Sequence, residues 1–370
     1  MKVLHSGDWH LGIDLHKVSL IKDQTYFLSQ LRDIVISENI DVVLISGDVY
    51  DTSLASKEAI ELFNHAMHML CMELHTQVIV IAGNHDSATR LSACASLLAP
   101  MGLHIIGKIE DVIKPIQIQD TYFYPFPFFH VDTVNRVYGV HLKNEEEAFQ
   151  YMIDQLKDNL SKPGCHIALA HTFLRNMTTC DSERYIEAGG TQAIQASVFE
   201  KFDYVALGHL HRMQKALPHV VYSGSPLPYS FSEALQEKYV LIFDTDTKEI
   251  FKKVIQPLHP LKVYKGSYEQ IKQELLTTPC QENAYVKIEI EDQMVSHEMF
   301  ISLQEYVPHL LQVSGKTFEN QSKISLEIEQ LQTLGDDEIL RFFFEDIYQQ
   351  EIDDEQLQFY YDALQGIKEG

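Results

Sequence analysis

The chain has 370 residues, 45% hydrophobic and 22% charged, the balance of a globular protein with more than one ordinary core, so two or three domains are expected. Basic side chains number 29 against 53 acidic ones; this formal net charge of −24 repels phosphodiester backbones, so any dealing with nucleic acid must rest on local positive charge. No apolar run reaches the ~18 residues of a membrane span, no basic-then-apolar leader opens the chain, and the five cysteines are scattered with no CxxC pair, which makes a reduced, cytoplasmic setting the expectation.

From residue 1 to about 255, short β-branched runs alternate with helical patterns. Strands are predicted at Lys2–His5, Asp41–Ile45, Gln77–Ile81, Cys165–Ala170, Tyr204–Ala206, Val220–Tyr222 and Tyr239–Phe243. Between the first three lie amphipathic segments, carrying Leu20, Phe27, Leu31, Ile34 and Val35 in one and Ile60, Leu62, Phe63, Met67 and Leu70 in the next. Such alternation predicts an α/β layered fold, with the later, more closely spaced strands forming a second sheet. After the proline-bearing linker Gln256–Lys262 the texture changes. A strand at Val263–Tyr264, a helix near Tyr268–Leu276, a strand at Ala284–Ile290, a helix over Ser296–Leu311 and a strand at Lys323–Ile328 predict a small α+β module spanning 256–334.

The last stretch, 335–370, reads as two short amphipathic helices: Leu340, Phe343, Phe344 and Ile347 share one face, and Leu357, Tyr360, Tyr361 and Leu364 another. From Asp336 onward there are eleven acidic residues against Arg341 and Lys368. One reading is a helical hairpin folded on its own domain; the other, favoured because so short a piece cannot bury two aromatic faces alone, is a docking element for a basic partner.

The chemistry gathers where strands end. The first runs into "GDWHLG" with Asp8 and His10, the second into "SGDVYD" with Asp48 and Asp51, and the third into "AGNHD" with Asn84, His85 and Asp86. "HIALAHTF" ends in His171, and "DYVALGHLHRM" in His209 and His211. In extended chain, residues two apart point the same way, so Asp8 and His10 can both grip one ion, and His209 and His211 stand at the same spacing. Carboxyl ends of strands in a layered α/β fold meet at one cleft, and the preceding glycines let the chain turn there. Singly, each residue has a plainer role: Asp8, Asp48 and Asp86 as helix N-caps, Asn84 as a turn residue, and His5, His16, His65 and His75 as structural histidines. Together, DxH, GDxxD, GNHD, a strand-terminal His and GHxH in this order point to chemistry. Mixed imidazole and carboxylate donors suit manganese, iron, zinc or cobalt. There are too many for one ion with an open position; they suit two if a carboxylate bridges them, the arrangement that hydrolyses phosphoesters.

This order resembles the calcineurin-like binuclear metallophosphoesterases, whose fold is a two-sheet βαβ sandwich. Within them, "LHSGDWHLG", "AGNHDSATRLSA", "YIEAGGTQAI", "FDYVALGHLHRMQ" and "YSGSPLPYSFSEA" are similar to the nuclease-subunit family of SbcCD-type double-strand-break-repair complexes, over residues 1 to about 245. The resemblance implies one ion held by Asp8, His10, Asp48 and His211, and another by Asp48, Asn84, His171 and His209, with Asp48 as the bridge. It implies that His85 faces the scissile phosphate and protonates the leaving oxygen, and that Asp86 orients that imidazole or caps the following helix, while Asp51 supports the ligands from behind. Family membership further implies two divalent ions, most commonly manganese, and exonuclease action on double-stranded ends with endonuclease action on hairpins or single strands. It also implies a homodimer, a 256–334 module that directs DNA, and a 335–370 helical pair docked on the coiled-coil root of an SbcC-type ATPase. "GSP" at 224–226 is assigned no chemistry. Arg90, Lys143, Arg175, Arg184 and Arg212 are the nearest candidates for local positive charge. The rival readings are a metallophosphoesterase for small phosphodiesters or nucleotides, and a scaffold on this fold that has lost its ligands.

Overall fold

The structure is a computed structural model that describes residues 1–109, 115–183 and 193–315. In chain order its strands are β1 Lys2–Ser6, β2 Asp14–Leu15, β3 Val18–Ser19, β4 Val42–Ser46, β5 Gln77–Ile81, β6 Leu103–Ile106, β7 Ile116–Ile118, β8 Thr121–Phe126, β9 Cys165–His171, β10 Tyr204–Gly208, β11 Gln214–Leu217, β12 Val220–Tyr222, β13 Lys238–Asp244, β14 Ile250–Ile255, β15 Leu261–Gly266, β16 Tyr285–Ile290 and β17 Leu310–Ser314. Two six-stranded sheets carry the fold, in the orders β14-β13-β1-β4-β5-β6 and β11-β12-β10-β9-β8-β7. Strands β1, β4, β5 and β6 of the first and β8, β9, β10 and β12 of the second run parallel, and they are largely apolar because both faces are covered.

One face of the first sheet packs its Leu4, Val43, Ile45 and Val80 against Phe27 and Leu31 of the helix Ile21–Glu38 and Leu62 and Phe63 of the helix Lys57–Met67. The outer face of the second sheet meets Phe149 and Met152 of the helix Glu145–Gln155. Between the sheets lie Val3, Val42, Leu44, Ile79 and Ile81 from one side and Phe123, Ile167, Leu169, Tyr204 and Ala206 from the other. Tyr204 stacks on Phe243 with ring centroids 4.5 Å apart and planes 8° off parallel, a contact worth ~0.5–1.5 kcal/mol beyond the area it buries. His5, fully buried, spans the same interface: its Nδ1 lies 2.8 Å from the Tyr204 hydroxyl and its Nε2 3.2 Å from the Leu207 carbonyl. It is a structural histidine, as expected. The two-sheet sandwich expected from the sequence is therefore present.

Several expectations change in detail. Lys238–Asp244 belongs to the first sheet, antiparallel to β1, and not to the second; its run Val240–Phe243 is buried, as suits a strand paired on both sides. Strand β8 escapes sequence reading because it contains Pro125; β7 pairs only with Thr121–Phe123, so the missing N–H interrupts no bond to β7. The helix expected over Ser296–Leu311 stops at Gln304, ahead of Pro308, and the chain re-enters a sheet at Leu310. Strands β15, β16 and β17 form an all-parallel third sheet, crossed by the helix Tyr268–Thr277, which starts at a capping box of Ser267 and Gln270. This sheet is tied to the first helix by His259, whose Nδ1 is 2.9 Å from the Asp23 carboxylate and whose ring stacks on Tyr285 at 4.5 Å. No described helix is long and apolar enough to cross a membrane. The strand expected at 323–328 and the two helices of 335–370 lie outside the described residues.

Candidate metal centre

The parallel strands of both sheets deliver their carboxyl ends to one cleft. There the backbone is bent hard: φ is +53° at Asp8, +41° at His10, +48° at Asp48 and +104° at His209, all non-glycine residues in a region that side chains disfavour. Such strain persists only where the surroundings over-determine it, and it gathers at functional sites. The ends also approach closely. A Cβ on Gly208 would lie 1.8 Å from the Ser46 carbonyl oxygen, and one on Gly47, at φ +90°, would lie 2.3 Å from His171 Nδ1. Hydrogen bonds lock the loops together, Asp8 N donating to Gly47 O at 3.0 Å, His10 N to Asp48 O at 3.0 Å and His209 N to Asp8 Oδ1 at 2.8 Å.

The donors fall into two groups that share Asp48. In one, ligand atoms of Asp8, His10 and Asp48 all lie within 4.8 Å of each other, and His211 Nε2 faces His10 Nε2 at 3.2 Å. In the other, Asp48, His171 and His209 satisfy the same limit, and Asn84 Oδ1 lies 2.8 Å from His171 Nε2 and 3.1 Å from His209 Nδ1. His209 and His211 thus point into different groups. Asp8 and His10 share a group, as their spacing suggested, whereas His209, at φ +104°, has left the extended conformation and parts from His211. His171 donates Nδ1–H to the Ser46 carbonyl at 2.9 Å, which turns its Nε2 to the cleft.

Electrostatics test whether these donors fit cations. Asp8 is fully buried and its Oδ2 has no hydrogen-bond partner, a costly state for a carboxylate unless a positive charge sits beside it. Burial, only partly offset by His171, raises its carboxyl to about 7. Burial would raise Asp48 too, but His171 and His10 hold its carboxyl well below the usual range. In turn Asp48 and Asp8 overcome the burial of His171 and raise it to about 9. His209 is lowered to about 3 by burial and by His171, and burial with His10 and Lys238 lowers His211 far below its ordinary value. His209 and His211 are thus held neutral, the state in which imidazole binds metal, while at His171 and His10, both raised against their burial by neighbouring carboxylates, an incoming cation would take the place of a proton. The residues fit two divalent ions.

Three expected auxiliary residues surround the donors. His85 places its Nδ1 2.7 Å from the Asp51 carbonyl, and its ring meets His10 edge-on at 4.7 Å. The Asp51 carboxylate lies 3.5 Å from His10 Nδ1. Asp86 has a role beyond the two anticipated: its carboxylate accepts main-chain N–H bonds from Gly83 at 2.8 Å, Tyr50 at 3.0 Å and Val49 at 3.1 Å, clasping the second and third strand ends together. The following helix, Ala88–Leu91, has Ser87 at its N-cap.

Sequence reasoning missed the groups behind His211. Tyr229 donates to the Trp9 carbonyl at 2.5 Å and sets its ring edge-on to both His10 and His211, at 5.5 and 5.6 Å. Glu183 accepts His211 N–H at 2.7 Å, and burial raises its carboxyl to about 7. Ser182, Ser225, Glu233 and Lys238 complete the layer. The usable signal was the "GSPLPYSFSEA" run, whose polar residues interrupt an apolar stretch. Of the basic candidates, Arg175 pairs with Glu146 at 3.2 Å and Arg90 donates to the Ser53 carbonyl at 2.8 Å. Arg212 and Lys143 are exposed, and Arg184 lies outside the described residues.

Residues 1–213 match the calcineurin-like phosphoesterase family, and residues 257–348 match a domain described as the type 5 capsule protein repressor C-terminal domain. The chain is 32% identical to the SbcD subunit of the nuclease SbcCD from Staphylococcus epidermidis over 344 residues, covering 90% of this chain and 91% of that one. It is 30% identical to the same subunit from Staphylococcus saprophyticus over 351 residues, covering 94% and 93%. The crystal structure of the protein TT1561 from Thermus thermophilus superposes at a TM-score of 0.42 with 12% identity, covering 69% of this chain and 99% of that one.

Proposed function

Because this chain belongs to the calcineurin-like phosphoesterases and, within them, to the SbcD nuclease-subunit family, we propose that it hydrolyses DNA phosphodiester bonds with two divalent ions, as the nuclease subunit of an SbcCD-type repair complex in the cytoplasm. The observation that carries this reading is the pair of donor groups sharing Asp48. We assign one ion to Asp8, His10, Asp48 and His211 and the other to Asp48, Asn84, His171 and His209. Manganese fits the mixed nitrogen and oxygen donors. When bound, such a pair lowers the pKa of an attacking water and neutralises charge on the phosphoryl oxygens. Two divalent ions would offset the carboxylates of Asp8, Asp48, Asp51 and Asp86, which supports phosphodiester binding by a chain of net charge −24.

The remaining steps belong to side chains. His85 presents its Nδ1 to the Asp51 carbonyl, so Nε2 is the atom that stabilises the phosphate and passes a proton to the leaving sugar oxygen. Asn84 offers a neutral oxygen, which limits negative charge in the cleft. Leu54, Ile60, Met72 and Met101 line one surface groove and are 71%, 43%, 45% and 50% exposed; this apolar face supports a homodimer through the helices beside the nuclease core. We take 1–255 as the nuclease domain, 256–334 as the module that directs DNA, and 335–370 as the helical pair that docks on a coiled-coil ATPase.

Purified protein with manganese should hydrolyse bis-p-nitrophenyl phosphate and open a DNA hairpin, both lost on chelation. Turnover of the small diester alone would favour a small-substrate phosphoesterase, and turnover of neither with any divalent ion would end the proposal. Deleting 335–370 should spare small-diester hydrolysis and abolish ATPase binding.

A further inference from the structure

The two imidazoles that reach the centre from His171 and His211 both need Nε2 as a lone pair, which requires the proton on Nδ1. For His171 the Ser46 carbonyl enforces this, because a carbonyl only accepts. His211 has no carbonyl there. Its Nδ1 lies 2.7 Å from Ser182 Oγ, a hydroxyl that could in principle give or take. The direction is settled one residue further back. Ser182 Oγ is 2.5 Å from Glu233 Oε1, and Glu233 is fully buried in an ion pair with Lys238, itself 5% exposed. An ionised carboxylate has no hydrogen to give, so the single hydroxyl hydrogen of Ser182 is committed to Glu233. Ser182 Oγ is left to accept from His211 Nδ1–H.

The frame is fixed from other directions as well. Lys238 Nζ donates to the His211 carbonyl at 2.9 Å and to Ser225 Oγ at 2.9 Å, and Glu233 Oε1 also receives Tyr229 N–H at 3.2 Å and Ser230 Oγ at 3.1 Å. Lys238 thus holds both the main chain of His211 and the acid that polarises its ring partner. This gives a physical role to the 224–226 segment to which the sequence assigned none.

We propose that Ser182, polarised by Glu233 and Lys238, is a positioning residue that sets the tautomer of His211 and thereby the strength of only that ion site to which His211 contributes. The inference rests on the two-ion assignment above. A partner behind a ligating imidazole changes metal affinity by about 10–100-fold.

The test uses the full chain and two readouts. In metal-free protein labelled with nitrogen-15 in histidine, the His211 signal, identified by its loss in His211→Asn, should be the Nδ1–H tautomer. It should become a mixture in Ser182→Ala and return in Ser182→Thr. In calorimetric titration with manganese, the wild-type chain should bind two ions. In Ser182→Ala one of them should bind about 10–100-fold more weakly and the other unchanged. If the wild-type chain fails to bind two ions, the reading of the centre fails on its own account. If it binds two while Ser182→Ala keeps both affinities and the tautomer, the positioning role is overturned. Equal weakening of both ions with a lowered melting temperature would overturn it too, by showing a merely structural serine.

Discussion

The two halves of the proposed metal centre carry similar donors but hold their histidines in different ways. In the half around Asn84, His171 and His209, main chain orients His171: the Ser46 carbonyl accepts its Nδ1–H, and the turn at Gly47 leaves room for its ring. The half around Asp8, His10 and His211 is oriented by side chains, with Ser182, Glu183, Glu233 and Lys238 converging on one histidine. A carbonyl is present whatever residue bears it, so the acceptor for His171 needs only the strand register and a glycine at 47. The second half depends on residue identity at separate positions, any of which a single substitution removes.

Asp48 is the place to break both halves at once. Asp48→Asn should abolish diester turnover, by on the order of 10⁴-fold or more, with both manganese ions weakened in calorimetry; loss of one ion alone would deny it the shared position. His85→Leu should slow cleavage by about 10²–10⁴-fold, the usual contribution of a positioned proton donor, while two ions remain bound. Metal lost with the activity would make His85 a ligand.

Gly47→Ala sharpens the contrast. The new Cβ would clash with His171 Nδ1 and sit at a positive φ, so the ion near Asn84 and His171 should weaken by about 10–100-fold while the His211 side holds. A loss confined to the His211 side would mean that the two halves are not separately oriented.

The smallest effect compares two histidines on one strand end, His10 in the cleft and His5 at the sheet interface. Burial lowers His5 to about 3 from 6.5, so the folded chain keeps it neutral while the unfolded chain takes up a proton below pH 6.5. Its contribution is therefore complete above that pH and is lost as the pH falls toward 3. By pH 5.5 the loss should be about 1.4 kcal/mol. The difference in denaturation midpoint between metal-free wild-type and His5→Phe proteins should shift with pH by that amount; parallel curves would show that His5 does not titrate on unfolding.

Much of the centre was legible because its signals are local. Apolar runs such as "DVVLIS" and "VIVIAG" announce buried strands, and the polar residues that follow each run announce the strand ends. Spacing alone served for Asp8 and His10, which share a donor group, but not for His209 and His211, because at His209 the chain has already left the dihedrals of a strand. Strand β8 was hidden by Pro125, whose tolerance depends on the absence of a β7 neighbour there.

By itself, then, the sequence determined the α/β layering, the strand ends and the types of donor they carry, because periodicity and turn residues act over a few positions. Only the tertiary structure decided that Lys238–Asp244 returns beside β1 and that Ser182 meets Glu233 across an interval of 51 residues. Those outcomes come from packing two sheets face to face, and such contacts between distant segments leave no periodic trace along the chain.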